Sequence, residues 1–331
     1  MENNRNEYKQ RVKKKKRFKR LKMTALLFLA LFIVSGAAVG YFLNKMANLT
    51  ASAQHELERG EHSDKRDQAV NPSKDNFSVL FLGLDDRDGS LKGRTDAILL
   101  ATFNKDESTI KMINIPRDSR VEIPGRVNLD KINHAHAFGG LDMTVATVEN
   151  LFDIPVDYFV KLNFDAFIEI IDALGGIEVD VPFTFQEMDS NDRKSAITLT
   201  EGLQNLNGEE ALAFARMRKK DPRGDIGRGE RQQQILAAII KKGSSFSTIA
   251  RFDDLMDSVE TNLSTNLSFG NILSLHSYSS GLKEIESLSL KGNDLTDNRI
   301  YYYELEEDSV AQISATLRNH LDIKFQQSNA N

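Results

Sequence analysis

The chain contains no cysteine. That excludes disulfides, thiolate nucleophiles and thiolate-held metals. Its six histidines are scattered, and no pair has the spacing of a zinc-binding helix. A hard cation held by carboxylates is the one metal class left open. No internal repeat or low-complexity tract interrupts the sequence. A basic folded surface is lacking too. The net charge is −5, yet the first 22 residues hold 11 Lys/Arg against 2 Glu, which leaves the remainder near −14. A nucleic-acid footprint needs the opposite balance on the folded part.

There is one long apolar run, Met23 to Leu43, uncharged and long enough to cross a bilayer. A cleaved signal peptide has a shorter apolar core and a small-residue cleavage site, which is missing before Asn44-Lys45, so a retained anchor is the better reading. The basic head then stays cytoplasmic and everything after Lys45 lies outside the cell membrane, a single-pass topology. The layout is thus a head (1–22), a transmembrane helix (23–43), a polar stalk (44–75), a globular domain (76–244) and a C-terminal extension (245–331), with 331 residues giving room for one large core.

Within the globular part, Phe77–Gly83, Thr95–Phe103 and Thr109–Ile115 read as three strands joined by short links. Helical periodicity marks Gly140–Phe152 and Phe164–Leu174, the latter closed by Gly175-Gly176. Tyr158–Leu162 and Ile177–Val181 are further strands. Gly208–Ala215 and Gly227–Lys242 are helices. Beyond Gly243-Ser244-Ser245 come amphipathic segments at Ile249–Val259 and Phe269–Tyr278, strands at Ile285–Leu290 and Ile300–Leu305, and a helix near Ser309–Leu321. Helices interleaved with strands imply a layered α/β/α domain around a central mixed sheet.

Two clusters carry chemistry. If the first three strands form successive hairpins, Asp85, Arg94, Asp96 and Arg117 meet at one sheet edge. Asp85 and Asp96 suit a Mg²⁺-like cation whose other positions go to phosphate oxygens and water. Arg94 and Arg117 suit the same oxygens. The pairs Arg94–Asp96 and Arg117–Asp118 read equally as structural ion pairs. His134 and His136 follow nearby as general-base candidates, although a satisfied loop histidine is the commoner fate.

The second cluster is ARMRKKDPRGDIGRGERQQ, Ala215 to Gln233, with five arginines around a Pro-Arg-Gly turn. Guanidinium forks bind phosphate bidentately, and a helix N-terminus adds free N–H groups. Arg228, Gln232, Ile235 and Ile239 share one helix face. Arg216 and Arg218 point the same way if the backbone is extended there. Arg231, one position off, reads as a rim residue or an ion-pair partner. Asp225 sits beside glycine, where it can approach a reacting atom or orient an arginine.

LGLDDR, GRTDAI, INIPRDS, DKINHAHAFGG and ALAFARMRKKDPRGDIGRGERQQ, in this order, resemble the LytR-CpsA-Psr family over about Asn76 to Lys242, and the basic head with one span matches that family's layout. Within it the chain is most similar to the teichoic-acid transferases of Gram-positive bacteria. The resemblance implies transfer of an anionic glycopolymer from a polyprenyl-pyrophosphate carrier to a peptidoglycan sugar hydroxyl, with polyprenyl phosphate released. It also implies Mg²⁺ (or Mn²⁺) held by Asp85 and Asp96, a head group bound by Arg94, Arg117, Arg216, Arg218, Arg228 and Gln232, and catalysis by Arg94, Arg117 and Asp225. Ala97 stands where that family often has a hydroxyl residue. A tunnel for the carrier tail is implied as well, for which Phe138, Phe152, Phe159, Phe164, Phe167 and Ile171 are candidates. A pyrophosphate hydrolase and a membrane-tethered transcription attenuator are the competing readings. The charged pocket on the outward side argues against the attenuator.

Overall fold

A computed structural model describes residues 55–86, 89–243, 259, 261–268, 270–272, 274 and 284–323. The first strands follow the apolar pattern closely: β1 is Phe77–Leu84, β2 Thr95–Asn104 and β3 Thr109–Asn114. Two short strands, β4 (Arg120–Val121) and β5 (Asp130–Lys131), precede helix α1, His134–Phe152. Next come β6 (Tyr158–Asn163), α2 (Phe164–Ala173) and β7 (Ile177–Val181). A small lobe holds β8 (Phe185–Glu187), β9 (Ile197–Leu199) and β10 (Gly202–Leu206). Helices α3 (Gly208–Arg216) and α4 (Asp225–Gly243) carry the arginine-rich segment. The chain then supplies β11 (Leu263–Thr265), β12 (Glu284–Ser289), β13 (Gly292–Asp297), β14 (Ile300–Leu305) and α5 (Glu307–His320).

The central sheet is mixed and six-stranded, in the order β11-β6-β1-β2-β3-β12. β1, β2 and β3 form the two hairpins that the short links predict. β6 runs parallel to β1, and β12 parallel to β3. Alternation along the strands sorts the core into two faces. Leu80, Leu82, Ile98 and Leu100 join Val145, Val148 and Phe152 of α1 and Ile313 and Leu317 of α5. Phe77, Val79, Leu99, Ala101 and Met112 face Leu236 of α4 instead. Each of these buried Val, Leu, Ile, Met and Phe side chains contributes about 1.5–3 kcal/mol of apolar transfer energy. Helices on both faces of one sheet give the layered arrangement expected from sequence.

Three features depart from the sequence reading. α1 begins six residues before the periodic segment and kinks at Gly139 and Gly140, whose φ/ψ values are non-helical. Gly140, at φ 65, takes a conformation costly for any residue with a Cβ. The lobe between β7 and α3 carries three strands that no apolar alternation announced, because they are three to five residues long. The third concerns the stalk. Residues 55–75 are fastened to the domain. Leu57 is buried, Arg66 forms a two-pronged bond to Asp157 at 2.7 and 2.9 Å, and Arg59 pairs with Glu149 at 2.6 Å. The composition is polar, yet Arg59, Lys65 and Arg66 have carboxylate partners on the domain. The apolar run Met23–Leu43, expected to span a membrane, and most of Ile249–Val259 and Phe269–Tyr278 lie outside the described residues, among which no helix is long and apolar enough to cross a membrane.

The residues after 245 supply both edges of the central sheet, through β11 and β12. α5 is clamped at its end by His320, whose Nδ1 lies 2.7 Å from Thr102 Oγ1 and whose Nε2 lies 2.9 Å from Thr109 Oγ1. Burial, aided by the charge of Lys111, pushes this imidazole down to about 4 against the opposing pull of Glu107 and Glu286. The unfolded chain, near 6.5, takes up the proton first as pH falls. The clamp's contribution is therefore complete above pH 6.5 and disappears as pH drops towards 4, a loss of about 3 kcal/mol. Urea unfolding across that window should show it, and His320→Gln should flatten the slope. An unchanged slope in the variant would remove His320 as its source.

Candidate active site

The hairpins bring the end of β1, the start of β2 and the end of β3 to one sheet edge. Leu84 stands opposite Thr95, and the Ile115 amide donates to the Ile98 carbonyl at 2.8 Å. On the α4 side of that edge a cavity of about 400 Å³ opens between the sheet and α2, α3 and α4. Asp85, Asp96, Arg117, Arg216, Arg228, Gln232 and Asn163 line it where the strands end. Its remainder is apolar, with Phe81, Leu99, Val160, Phe164, Phe167, Leu212, Ile235, Leu236 and Ile239 among the walls. The close approach of β1 and β2 depends on small residues, since a Cβ on Gly83 would lie 3.2 Å from the Ala97 Cβ.

The ion pairs connect the two sequence clusters. Arg117 donates from Nη1 to Asp96 Oδ1 across the strands. Asp118, 3.7 Å from Arg117 Nε, is held chiefly by Lys131 at 2.7 Å. Asp96 thus pairs with Arg117 rather than with Arg94, while the Arg117–Asp118 pair persists as the looser of Arg117's two contacts. Burial opposes the Arg117 charge, but Asp96, with help from Asp118 and Asp225, outweighs it and raises the guanidinium pKa. Arg228 is pulled the other way. Burial lowers its pKa, Asp225 and Asp96 oppose the fall, and the like charges of Arg117 and Arg218 add to it. Two guanidiniums that repel each other in a half-buried pocket are stabilised by an anion placed between them. Arg117 Nε is itself buried without a hydrogen-bond partner among the described residues.

Helix α4 presents Arg228, Gln232, Ile235 and Ile239 to the cavity, as the helical spacing requires. Gln232 Oε1 accepts from Asn114 Nδ2 at 2.8 Å, which ties the helix to the end of β3. Gly229 makes room for this, because a Cβ there would fall 2.7 Å from Asn114 Oδ1.

Three expected site residues stand off the cavity wall. Arg94 is exposed at the entry to β2. Arg218 pairs with Asp225 at 3.2 Å, and Asp225 pairs in turn with Arg228 at 2.8 Å. Arg216 and Arg218 do not share an extended segment. Arg216 ends α3, stacks over Phe164 at 5.1 Å and reaches Asp192 at 3.1 Å, while Arg218 lies beyond the helix cap at Met217.

Neither histidine lines the cavity. His136 Nδ1 lies 2.7 Å from the Gly93 carbonyl oxygen, and burial lowers its pKa. His134 sits 3.0 Å from Asp130. Of the six tunnel candidates, Phe164 and Phe167 line the cavity. Phe152 and Phe159 are core on the opposite face, Ile171 packs in the lobe core, and Phe138 is exposed against Arg126. Sequence reasoning missed Asn114, Asn163 and Asp192, whose polar types carried no spacing signal.

Arg231 proves to be an internal brace. At 1 % exposure it bonds Asp221, the Phe214 carbonyl and the Met217 carbonyl, pinning the arginine-rich loop to α4.

The two cavity carboxylates suit a small divalent cation. Mg²⁺ commonly takes one or two protein carboxylates and completes its shell with phosphate oxygens and water. Among the described residues no group of three or more acidic or histidine side chains forms an all-protein cage.

The family model described as LytR_cpsA_psr matches residues 40–319, well past Lys242. The chain is 42% identical over 315 residues to polyisoprenyl-teichoic acid–peptidoglycan teichoic acid transferase TagU of Bacillus subtilis strain 168, covering 94% of this chain and 99% of that one. Among solved structures, TagT bound to LIIa-WTA superposes with a TM-score of 0.71 at 41% identity, covering 81% of this chain and all of TagT. A TagT structure with bound octaprenyl pyrophosphate lipid gives 0.66 at 38% identity, with the same coverage. A match that takes in both hairpins, the arginine-rich segment and the two edge strands places the chain in the LytR_cpsA_psr family.

Proposed function

We propose that the protein is a phosphotransferase of the cell envelope. It moves an anionic glycopolymer, of the teichoic-acid kind, from a polyprenyl-pyrophosphate carrier to a peptidoglycan sugar hydroxyl. The observation that carries this is a single cavity, apolar along most of its length and ending in Asp85, Asp96, Arg117, Arg216 and Arg228. An oily tail joined to a diphosphate matches both halves at once. The similarity to transferases named for this reaction, and to a relative holding octaprenyl pyrophosphate, supports it.

In this reading the acceptor hydroxyl oxygen attacks the phosphorus that bears the polymer. A new P–O bond forms, the bond to the bridging oxygen breaks, polyprenyl phosphate leaves with the electron pair, and the hydroxyl proton passes to the departing phosphate or to water. Arg117 and Arg228 hold the diphosphate oxygens and neutralise charge that grows on the leaving phosphate. Asp96 sets the Arg117 fork, and Asp225, between Arg218 and Arg228, sets the second guanidinium. That double ion pair suits Asp225 to positioning better than to taking the hydroxyl proton. Asp85 and Asp96 would hold a Mg²⁺, which would supply further charge neutralisation at the phosphates. A single-pass anchor at Met23–Leu43, as the apolar run predicts, tethers the enzyme to the membrane that holds the donor.

The full-length protein, extracted in detergent and analysed by mass spectrometry, should carry a polyprenyl-phosphate or pyrophosphate lipid. With labelled donor and peptidoglycan it should yield polymer-bearing glycan, whereas a hydrolase would release free polymer phosphate. Free polymer as the main product in the presence of acceptor would replace the transferase with the hydrolase.

A further inference from the structure

The link between β1 and β2 begins at Asp85 and ends at Arg94. It carries one cavity carboxylate at its start and delivers the other, Asp96, just past its end. The link is far longer than a tight hairpin turn, so its shape depends on contacts outside it. Buried Asp86 accepts from the Leu91 amide. Lys161 of β6 donates from Nζ to the Leu91 carbonyl at 3.4 Å. His136 of α1, only 4% exposed, places Nδ1 2.7 Å from the Gly93 carbonyl oxygen. Gly93 directly precedes Arg94, at the entry to β2, and sits at φ 101. Glycine populates such a conformation among many others, so an outside contact is needed to single it out.

The same end of α1 also grips the strand end that carries Arg117. The amide of Asn133, which caps the helix, donates to the Arg117 carbonyl at 3.2 Å, and the Ile132 amide donates to the Ser119 carbonyl at 2.9 Å. The start of α1 is therefore a common support for Arg117 on one side and for Gly93 on the other.

The imidazole is suited to that single bond. A carbonyl oxygen only accepts, so Nδ1 carries the proton and Nε2 keeps its lone pair. Nε2 is buried and has no hydrogen-bond partner among the described residues. Burial, helped by the Lys161 charge, lowers the pKa against the pull of the Gly93 bond and keeps the ring neutral. An orphaned ring nitrogen costs stability. Leucine would fill the space without that cost, so what the histidine contributes is its hold on Gly93.

We propose that His136 is a positioning residue for the phosphate end of the cavity: through Gly93 it fixes the loop that sets Asp85 and Asp96 against the Arg117 fork. The inference rests on the transferase reading and adds to it a residue that lies off the cavity wall.

The test uses full-length protein in detergent, with labelled polyprenyl-pyrophosphate-linked polymer as donor and soluble uncrosslinked peptidoglycan strands as acceptor. His136→Leu, which fills the ring's space but donates nothing, should lower kcat about 10–100-fold, with donor KM within about threefold of wild type. His136→Asn, whose side-chain N–H stands where that of Nδ1 does, should recover most of the loss. A packing role would rank these two variants the other way round. Gly93→Ala has room for its methyl group but strains the backbone, so it should lose kcat to a similar degree. Adding His136→Leu to it should cost little more. Thermal unfolding checks that each variant is folded, and Gly93→Ala decides alone if His136→Leu is not. Wild-type kcat in folded His136→Leu or Gly93→Ala, or a His136→Asn slower than His136→Leu, overturns the positioning role, while an active wild type leaves the transferase reading intact. A wild type that transfers polymer to no glycan overturns both.

Discussion

Arg117→Ala lowers the rate of polymer transfer by about 10²–10³-fold, the magnitude expected for removing one preorganised charge donor from a developing anion. The reason lies in the Asp96–Arg117 pair. The guanidinium is held in place before substrate arrives, and its buried Nε remains a donor for an oxygen. Lysine should not restore the rate, because a point charge cannot reproduce the planar fork. Asp96→Ala should fall nearly as far, since the fork loses its orienting partner. Steady-state transfer assays report the effect, and thermal unfolding of each variant separates it from a folding defect. Wild-type rates in well-folded Arg117→Ala would place the chemistry elsewhere.

Arg231→Ala destabilises the domain by about 3–5 kcal/mol, because it leaves the Asp221 carboxylate buried without its main partner. The loss is larger than an exposed arginine would give, since this guanidinium also satisfies two backbone carbonyls. Burial alone would raise the Asp221 pKa, but the bond to Arg231 and the Arg223 amide outweigh it and hold it below the usual carboxylate value. Its contribution is therefore present above the unfolded carboxylate pKa near 3.9 and is lost as pH falls further, through the folded value. Chemical denaturation of Arg231→Ala, Asp221→Leu and the double variant Asp221→Leu/Arg231→Met tests this. The double variant should lose clearly less than the sum of the singles, since no unpaired charge remains. Strict additivity would show that the two residues act independently.

The three N-terminal strands, the helix holding Arg228 and the convergence of Asp85, Asp96 and Arg117 were all readable from apolar runs and short links. A hairpin leaves its strand ends little freedom, so residues at those ends meet. Arg228, Gln232, Ile235 and Ile239 were equally readable, because helical spacing alone puts them on one face. The tunnel candidates fared worse. Phe159 and Phe164 look alike in sequence, yet one is core against α1 and the other walls the cavity. Phenylalanine signals burial and not the face on which burial occurs.

Arg231 and Arg228 make the same point with charge. They lie three residues apart in one segment, and one braces the fold while the other faces the cavity. Local pattern dictated the strands, the helices and the chemical character of the pocket, since these depend on neighbours within a few residues. Which arginine would be buried, which aspartate Arg117 would choose and where the β13–β14 hairpin would settle were decided by packing between distant segments. Those contacts form only when the sheet closes against its helices, and no short window of residues contains their energies.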